Sequence, residues 1–242
     1  MKILALAPNP ELAPHMVMVY GMNLMMNRFG IEGSRFLVGP NGLQVDLLLA
    51  ELNKSCEAAQ PVALLGSSFG FVELFERMES LKLRLSLPEG SRLMDAGGYK
   101  GRAREISRSQ FILWACSLLD LPPQRIVNLL GMTEMASQIY DEVVPNRAKT
   151  PPHWVRTLVM DPLRRENGDL TEVDEKGKKG LLRHLDLANV ERPIMIQSDD
   201  VGTGGRNSFE ILERVKGAEP RGCSLTFEEF AFGRNLQNGA KQ

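Results

Sequence analysis

Three times within the first eighty or so residues a short, unbroken apolar run is followed by a helix-length stretch with apolar residues three and four apart. The runs cover residues 2–7, 35–39 and 62–66, and the helical patterns cover 14–29, 42–58 and 69–81. In the second pattern Leu43, Leu47, Leu48 and Leu52 share one face, and the first has Pro14 in its first turn and Gly30 just past its end. Strands this short and this apolar, with no polar residue at alternate positions, cannot leave one face in water. Each is followed by a helix, so the arrangement predicted is a parallel sheet with helices covering both faces.

The same texture continues with a strand at 92–96, a helix at 107–119 ending before Pro122-Pro123, and a strand at 125–130. After Asp141 it changes. A connection at 145–152 leads to β-type runs at 154–160, 180–186, 194–196 and 209–215, separated by Asn167-Gly168-Asp169 and by a charged stretch, 172–179, that reads as a solvated hairpin tip. The fold class expected is therefore α/β: a parallel-sheet domain with flanking helices (1–145), a β-rich subdomain (146–215) and a short carboxy-terminal lobe (216–242). The methionines at 16, 18, 22, 25 and 26 are read as a buried helix face in preference to a lipid-contacting surface.

Composition removes several function classes. Twenty-nine Lys and Arg against 30 Asp and Glu leave a net charge of -1, so no basic field draws the chain to nucleic acid. Cys56, Cys116 and Cys223 form no C-x-x-C and no disulfide framework, which fits a reducing cytoplasm. The apolar start stops at Pro8, too early for a secretory signal. The longest apolar stretch, 16–26, is broken by Tyr20, Gly21 and Asn23 and is too short for a membrane span.

Three glycine-containing junctions follow predicted strands, where loop backbone in α/β sheets approaches ligands. In Asp95-Ala96-Gly97-Gly98-Tyr99-Lys100-Gly101-Arg102 the paired glycines permit close backbone contact and Lys100 and Arg102 add positive charge; an ordinary turn is the alternative. In Gly131-Met132-Thr133-Glu134 a hydroxyl and a carboxylate suit phosphate and Mg²⁺. The alternative is that Thr133 caps a following helix with Glu134 in its first turn. In Gln197-Ser198-Asp199-Asp200-Val201-Gly202 a strand-end carboxylate could hold ribose hydroxyls, or close a turn.

The order of these stretches resembles the adenylate-forming enzymes, and among them the LuxE-type acyl-protein synthetases. The resemblance rests on Leu64-Leu65-Gly66-Ser67-Ser68-Phe69, residues 95–102, residues 131–140, Asp186-Leu187-Ala188-Asn189, residues 198–202 and Arg221-Gly222-Cys223-Ser224-Leu225. It implies ATP-dependent activation of a carboxylic acid, a fatty acid in the first instance, as an acyl-adenylate that is then passed to a protein thiol. ATP and Mg²⁺ would be the cofactors, and an acyl-reductase or acyl-transferase subunit a partner. Carried over by motif, Gly97, Gly98 and Tyr99, with Lys100, Gly131 and Met132, would line the ATP/adenylate pocket. Thr133 and Glu134 would meet phosphate and Mg²⁺, and Asp200 the ribose. Arg214 would lie near a hinge, and Cys223 would accept the acyl group, its alternative being a small buried hydrophobe. The attacking carboxylate is already anionic at neutral pH, so His15, His153 and His184 are not favoured as catalysts.

Two departures stand beside the resemblance. No segment of the type T-S-G-T-T-G is present, so part of the amino-terminal machinery with the phosphate loop is expected to be missing. Leu130 stands where the family has an aromatic residue before the G-x-T-E motif. An acid:CoA ligase of the phenylacetate-activating type, and a non-catalytic nucleotide- or partner-binding fragment completed in trans, are the other readings.

Overall fold

The computed structural model describes residues 1–97, 106–141, 148–173 and 177–215. They fall into two compact units, residues 1–128 and residues from 129 onward. The first unit contains β1 (Lys2–Pro8), α1 (Val17–Phe29), β2 (Arg35–Gly39), β3 (Gly42–Leu43), α2 (Val45–Glu57), β4 (Val62–Ser67), α3 (Ser68–Ser80), β5 (Arg92–Ala96) and α4 (Arg108–Leu119). A 3-10 turn, Pro123–Arg125, then leads into β6 (Ile126–Leu130), which begins in this unit. The strand order is β3-β2-β1-β4-β5, with β1 parallel to both β2 and β4, and β4 parallel to β5.

Strand β1 is buried along its whole length, which explains its lack of polar alternation. Ile3, Ala5 and Ala7 point into a core with Met16, Val19 and Met22 of the α1 region. Leu4 and Leu6 point the other way, among Leu48 and Leu52 of α2, Phe71 and Phe75 of α3 and Phe111 of α4. The chain steps outward from β1 to β2 and then back across to β4, so right-handed crossovers place α1 and α2 on opposite faces. Met16 and Met22 are 3% and 1% exposed, and Met18, Met25 and Met26 are partly buried against the same core. The first two helices begin slightly later than expected: α1 at Val17 rather than 14, α2 at Val45 because Gly42–Leu43 pairs as β3 with Val38 and Gly39. Helix α4 opens on a full capping box, the Ser107 hydroxyl accepting from the Gln110 N–H while the Gln110 side chain accepts from the Ser107 N–H.

One buried ion pair ties β1 to α2. Lys2 Nζ lies 2.6 Å from Glu51 Oε2, with 6% and 5% of the two side chains exposed. The ammonium also donates to Ser55 Oγ at 3.3 Å, and Lys54 reaches the same carboxylate at 3.1 Å. The Lys2 hydrogen bond holds the Glu51 carboxyl at about 2, against the opposing effect of burial.

The second unit is antiparallel. It contains β7 (Ile139–Asp141), β8 (Lys149–Thr150), β9 (Val155–Glu166), β10 (Asp169–Glu172), β11 (Gly180–Asp186), β12 (Met195–Gly205) and β13 (Ser208–Arg214), in the order β10-β9-β11-β12-β13-β8-β7. The end of β6 pairs with β7 through Leu129 and Tyr140. Met135, Ile139, Val155, Val159, Leu182 and Phe209 form its core. Asn167-Gly168 is the two-residue turn between β9 and β10, as its sequence implied. Two strands run well past their expected ends. β9 continues to Glu166 through Pro162, tolerated because the ladder with β10 shifts register there. β12 has 11 residues where three were expected, since it is paired on both sides, by β11 and by β13.

His184 on β11 is wholly buried. Its Nδ1 lies 2.9 Å from Thr157 Oγ1, and its Nε2 meets no hydrogen-bonding partner among the described residues. Burial lowers its pKa from 6.5 to about 4. The folded state therefore binds fewer protons than the unfolded one between these values, and stability falls as pH drops from 6.5 toward 4. The Glu51 carboxyl, also lowered, contributes stability that is whole above 4.5 and lost as pH falls toward 2. Urea unfolding between pH 7 and pH 2 is thus expected to weaken in two windows. His184→Gln should flatten the upper one and Glu51→Gln the lower one. At pH 7 Glu51→Gln is expected to cost about 3–5 kcal/mol by leaving Lys2 buried and unpaired, and Lys2→Met with Glu51→Leu to cost less than that.

Candidate functional site

Strand β5 ends on a carboxylate that gathers the elements around it. Asp95 is 1% exposed. Its Oδ2 accepts from Ser68 Oγ at 2.7 Å, at the start of α3, and from Asn128 Nδ2 at 2.9 Å, on β6. Its Oδ1 accepts from Arg108 Nη1 at 2.7 Å, in the first turn of α4. The Ser68 hydroxyl also lies 2.9 Å from the Gly97 carbonyl. Two residues on, Gly97 is exposed with φ +80 and nothing within 4 Å of a Cβ placed on it, so its backbone and not its surroundings demands glycine. Asp95 thus anchors the strand end from which the first glycine-rich junction leaves. The other junction residues named from the sequence, Gly98, Tyr99 and Lys100, lie outside the described residues, as does Cys223.

Residues 131–137, in the second unit, form a turn leading into β7, and no helix follows Thr133. The helix-cap alternative for Thr133 and Glu134 is therefore set aside. Gly131 is exposed and Met132 half-buried against the core, while Thr133 and Glu134 are both exposed. The Thr133 hydroxyl donates to Glu134 Oε2 at 3.1 Å, bringing hydroxyl and carboxylate together. Beneath them Met135 and Ser137 turn inward, each 8% exposed. The Asp186 carboxylate accepts from Ser137 N and Oγ at 2.9 and 2.8 Å, and Trp154 Nε1 donates to the same hydroxyl at 2.8 Å. Asn189 Oδ1 accepts from Ala136 N at 2.7 Å, and its Nδ2 donates to the carbonyls of Glu134 at 2.9 Å and Pro193 at 3.0 Å. The sequence marked Asp186-Leu187-Ala188-Asn189 as a family-like stretch but attached no role to it. An acid and an amide three residues apart, at the end of a β-type run, were the available signal.

Asp200 sits inside β12 rather than in a strand-end turn, directly opposite Arg214 of β13. Arg214 Nε is 3.5 Å from Asp200 Oδ1, and Nη2 is 3.7 Å from Asp199 Oδ2. The Asp200 side chain keeps 23% of its surface exposed. Gly202, in the same stretch, is a packing requirement: a Cβ there would come 2.4 Å from the Glu210 carbonyl oxygen. The structure therefore joins Thr133 to Glu134, and Asp200 to Arg214.

Mg²⁺ is usually held by one or two carboxylates together with substrate phosphates, not by an all-protein cage. Among the described residues no group of three His, Cys, Asp or Glu side chains could hold a metal ion. The exposed carboxylate of Glu134, bonded to a neighbouring hydroxyl, fits an ion that arrives with a phosphate ligand.

Removing the Asp95 carboxylate would strand the Ser68 hydroxyl, the Asn128 amide and the Arg108 guanidinium at a buried junction. Asp95→Ala is expected to lower the unfolding free energy by about 3–5 kcal/mol in urea melts at pH 7. Asp95→Asn, which keeps an acceptor but loses the ion pair, should recover part of the loss.

Known proteins share the fold. Among solved structures, 2-hydroxyisobutyryl-CoA ligase in complex with 2-HIB-AMP and CoA superimposes with a TM-score of 0.57 at 15% identity, over 91% of this chain and 50% of that one. A long-chain-fatty-acid–CoA ligase from Archaeoglobus fulgidus gives 0.54 at 12% identity, over 88% and 44%. McyG A-PCP complexed with phenylalanyl-adenylate gives 0.53 at 15% identity, over 89% and 40%. At these identities the shared property is the fold, that of adenylate-forming enzyme domains, and the chain spans half or less of the length of each. No curated protein sequence matches it significantly. The family model described as acyl-protein synthetase, LuxE, matches residues 1–231 of the 242, and the chain accordingly belongs to that family.

Proposed function

We propose that this chain serves the ATP-dependent activation of a carboxylic acid, a fatty acid in the first instance, as an acyl-adenylate whose acyl group then passes to a protein thiol. The observation that carries the reading is the family match over residues 1–231, together with the exposed Thr133–Glu134 pair. The substrate carboxylate attacks the α-phosphorus of ATP, the bond from that phosphorus to the bridging oxygen breaks, and pyrophosphate leaves with the electron pair. A thiolate then attacks the acyl carbonyl of the mixed anhydride, AMP leaves, and a thioester remains.

In this reading Thr133 donates its hydroxyl to a phosphate oxygen, and Glu134 holds Mg²⁺, which when bound offsets the charge of the triphosphate. Asp200 accepts from ribose hydroxyls. Arg214, 3.5 Å from Asp200, orients that carboxylate. By the family motif, Gly97, Gly98, Tyr99 and Lys100 are assigned to the adenylate pocket, and Cys223 is the acyl acceptor. Catalysis of this kind is chiefly electrostatic, and preorganised donors aimed at developing charge are its largest contribution.

Calorimetry with Mg-ATP is expected to show binding that Asp200→Ala weakens about 10-fold, a loss of one charge-assisted contact. Wild-type affinity no better than that of the variant would refute the nucleotide reading. Incubation with labelled fatty acid and ATP should leave hydroxylamine-sensitive label on Cys223, absent from Cys223→Ser. Label that persists in Cys223→Ser, or that appears only on added CoA, would replace the protein-thiol step with transfer to CoA, the acceptor present in the 2-hydroxyisobutyryl-CoA ligase complex.

A further inference from the structure

Residues 131–137 belong to no helix, and their backbone groups need partners from elsewhere. Those partners come almost entirely from one segment, residues 186–192. Asn189 receives the Ala136 N–H and donates to the Glu134 carbonyl; Asp186 receives both the N–H and the hydroxyl of Ser137; Arg192 Nη1 donates to the Thr133 carbonyl. Asp186 is wholly buried and Asn189 is 2% exposed, so both have given up solvation to make these bonds. Asp186 is itself braced by the Ala188 N–H at 3.0 Å, and Asn189 by the Pro193 carbonyl. The carbonyls of both Thr133 and Glu134 are thereby held from one side, while their side chains remain exposed on the outside of the turn.

We infer that Asp186 and Asn189 are positioning residues that aim the Thr133 hydroxyl and the Glu134 carboxylate at the nucleotide, with Arg192 assisting at the Thr133 carbonyl. The inference rests on the nucleotide reading above. Its physical basis is that contacts to a phosphate or an ion tolerate little misplacement, and a turn without ladder hydrogen bonds keeps its shape only if its polar groups are tied down. The asymmetry of the asparagine matters. Its oxygen faces an N–H and its nitrogen faces two carbonyls, so Asn189→Asp, of nearly the same shape, would keep the Ala136 bond but set a carboxylate oxygen against the Glu134 and Pro193 carbonyls.

The test combines amide hydrogen exchange with Mg-ATP calorimetry on the full chain. Asn189→Ala and Asn189→Asp are expected to speed exchange at Ala136 and Ser137, to leave the protection of β9 and β11 unchanged, and to weaken Mg-ATP binding about 10- to 100-fold. In a Glu134→Ala background Asn189→Ala should add little further loss, because its effect runs through the turn that carries Glu134. Arg192→Ala, at an exposed position, supplies the same readout should Asn189→Ala fail to fold. Wild-type binding that the variants leave unchanged, or losses that add in full with Glu134→Ala, would overturn the positioning role alone. An absence of Mg-ATP binding by the wild-type chain would overturn the nucleotide reading, and the positioning role with it.

Discussion

The burial of β1 and β4 on both faces is the constraint from which the first unit follows. A strand with Leu4 and Leu6 on one side and Ile3, Ala5 and Ala7 on the other has no face to offer water, so the chain must cover both. Helices α2, α3 and α4 close one face and α1 the other. Once the faces are closed, polar chemistry can emerge only where the strands end. Asp95 occupies one such end, and its carboxylate satisfies a hydroxyl, an amide and a guanidinium from three different elements. A buried charge of this kind is tolerable only because every partner is a donor. The same logic holds at Lys2 and Glu51, where the cost of burying two ions is offset by short contacts and further hydrogen bonds.

The second unit meets a different problem. Its strands are antiparallel and partly exposed, and the turn at 131–137 lies outside any ladder. Stability and geometry there depend on side chains that act as substitute backbone partners. Asp186 ends β11 and Asn189 follows three residues on, and between them they accept or donate at three groups of the turn, the Glu134 carbonyl, the Ala136 N–H and the Ser137 N–H. Thr133 and Glu134 face outward, hydrogen-bonded to each other. Asp200 and Arg214 show the complementary pattern, a cross-strand ion pair held by register on neighbouring strands.

Much of the first unit was legible from spacing. Apolar runs without alternation, followed by helical periodicity, located β1, β2, β4, β5 and all four helices to within a few residues, because the burial that causes the pattern is local to each element. The charged stretch at 197–202 misled for the opposite reason. Asp199, Asp200 and Gly202 have low strand propensity and read as a turn, yet β13 pairs with Asp200 and both β11 and β13 pair with Gly202, which holds the stretch extended. Thr133-Glu134 likewise looked like a helix start, and the following residues turned instead into β7.

The sequence by itself determined the alternation of strand and helix in the first unit, the hairpin at Asn167-Gly168, and the family, since each is encoded in neighbouring residues or in motifs preserved as strings. Only the tertiary structure decided that Asp200 lies within a strand facing Arg214, that Asp95 joins Ser68, Arg108 and Asn128, and that Asp186 and Asn189 hold the turn of Thr133 and Glu134. Those partners are 13 to 55 residues apart in the chain for the Asp95 and Asn189 contacts named. Hydrogen bonds across such distances carry no periodicity, and they exist only once the strands between them have been folded into register.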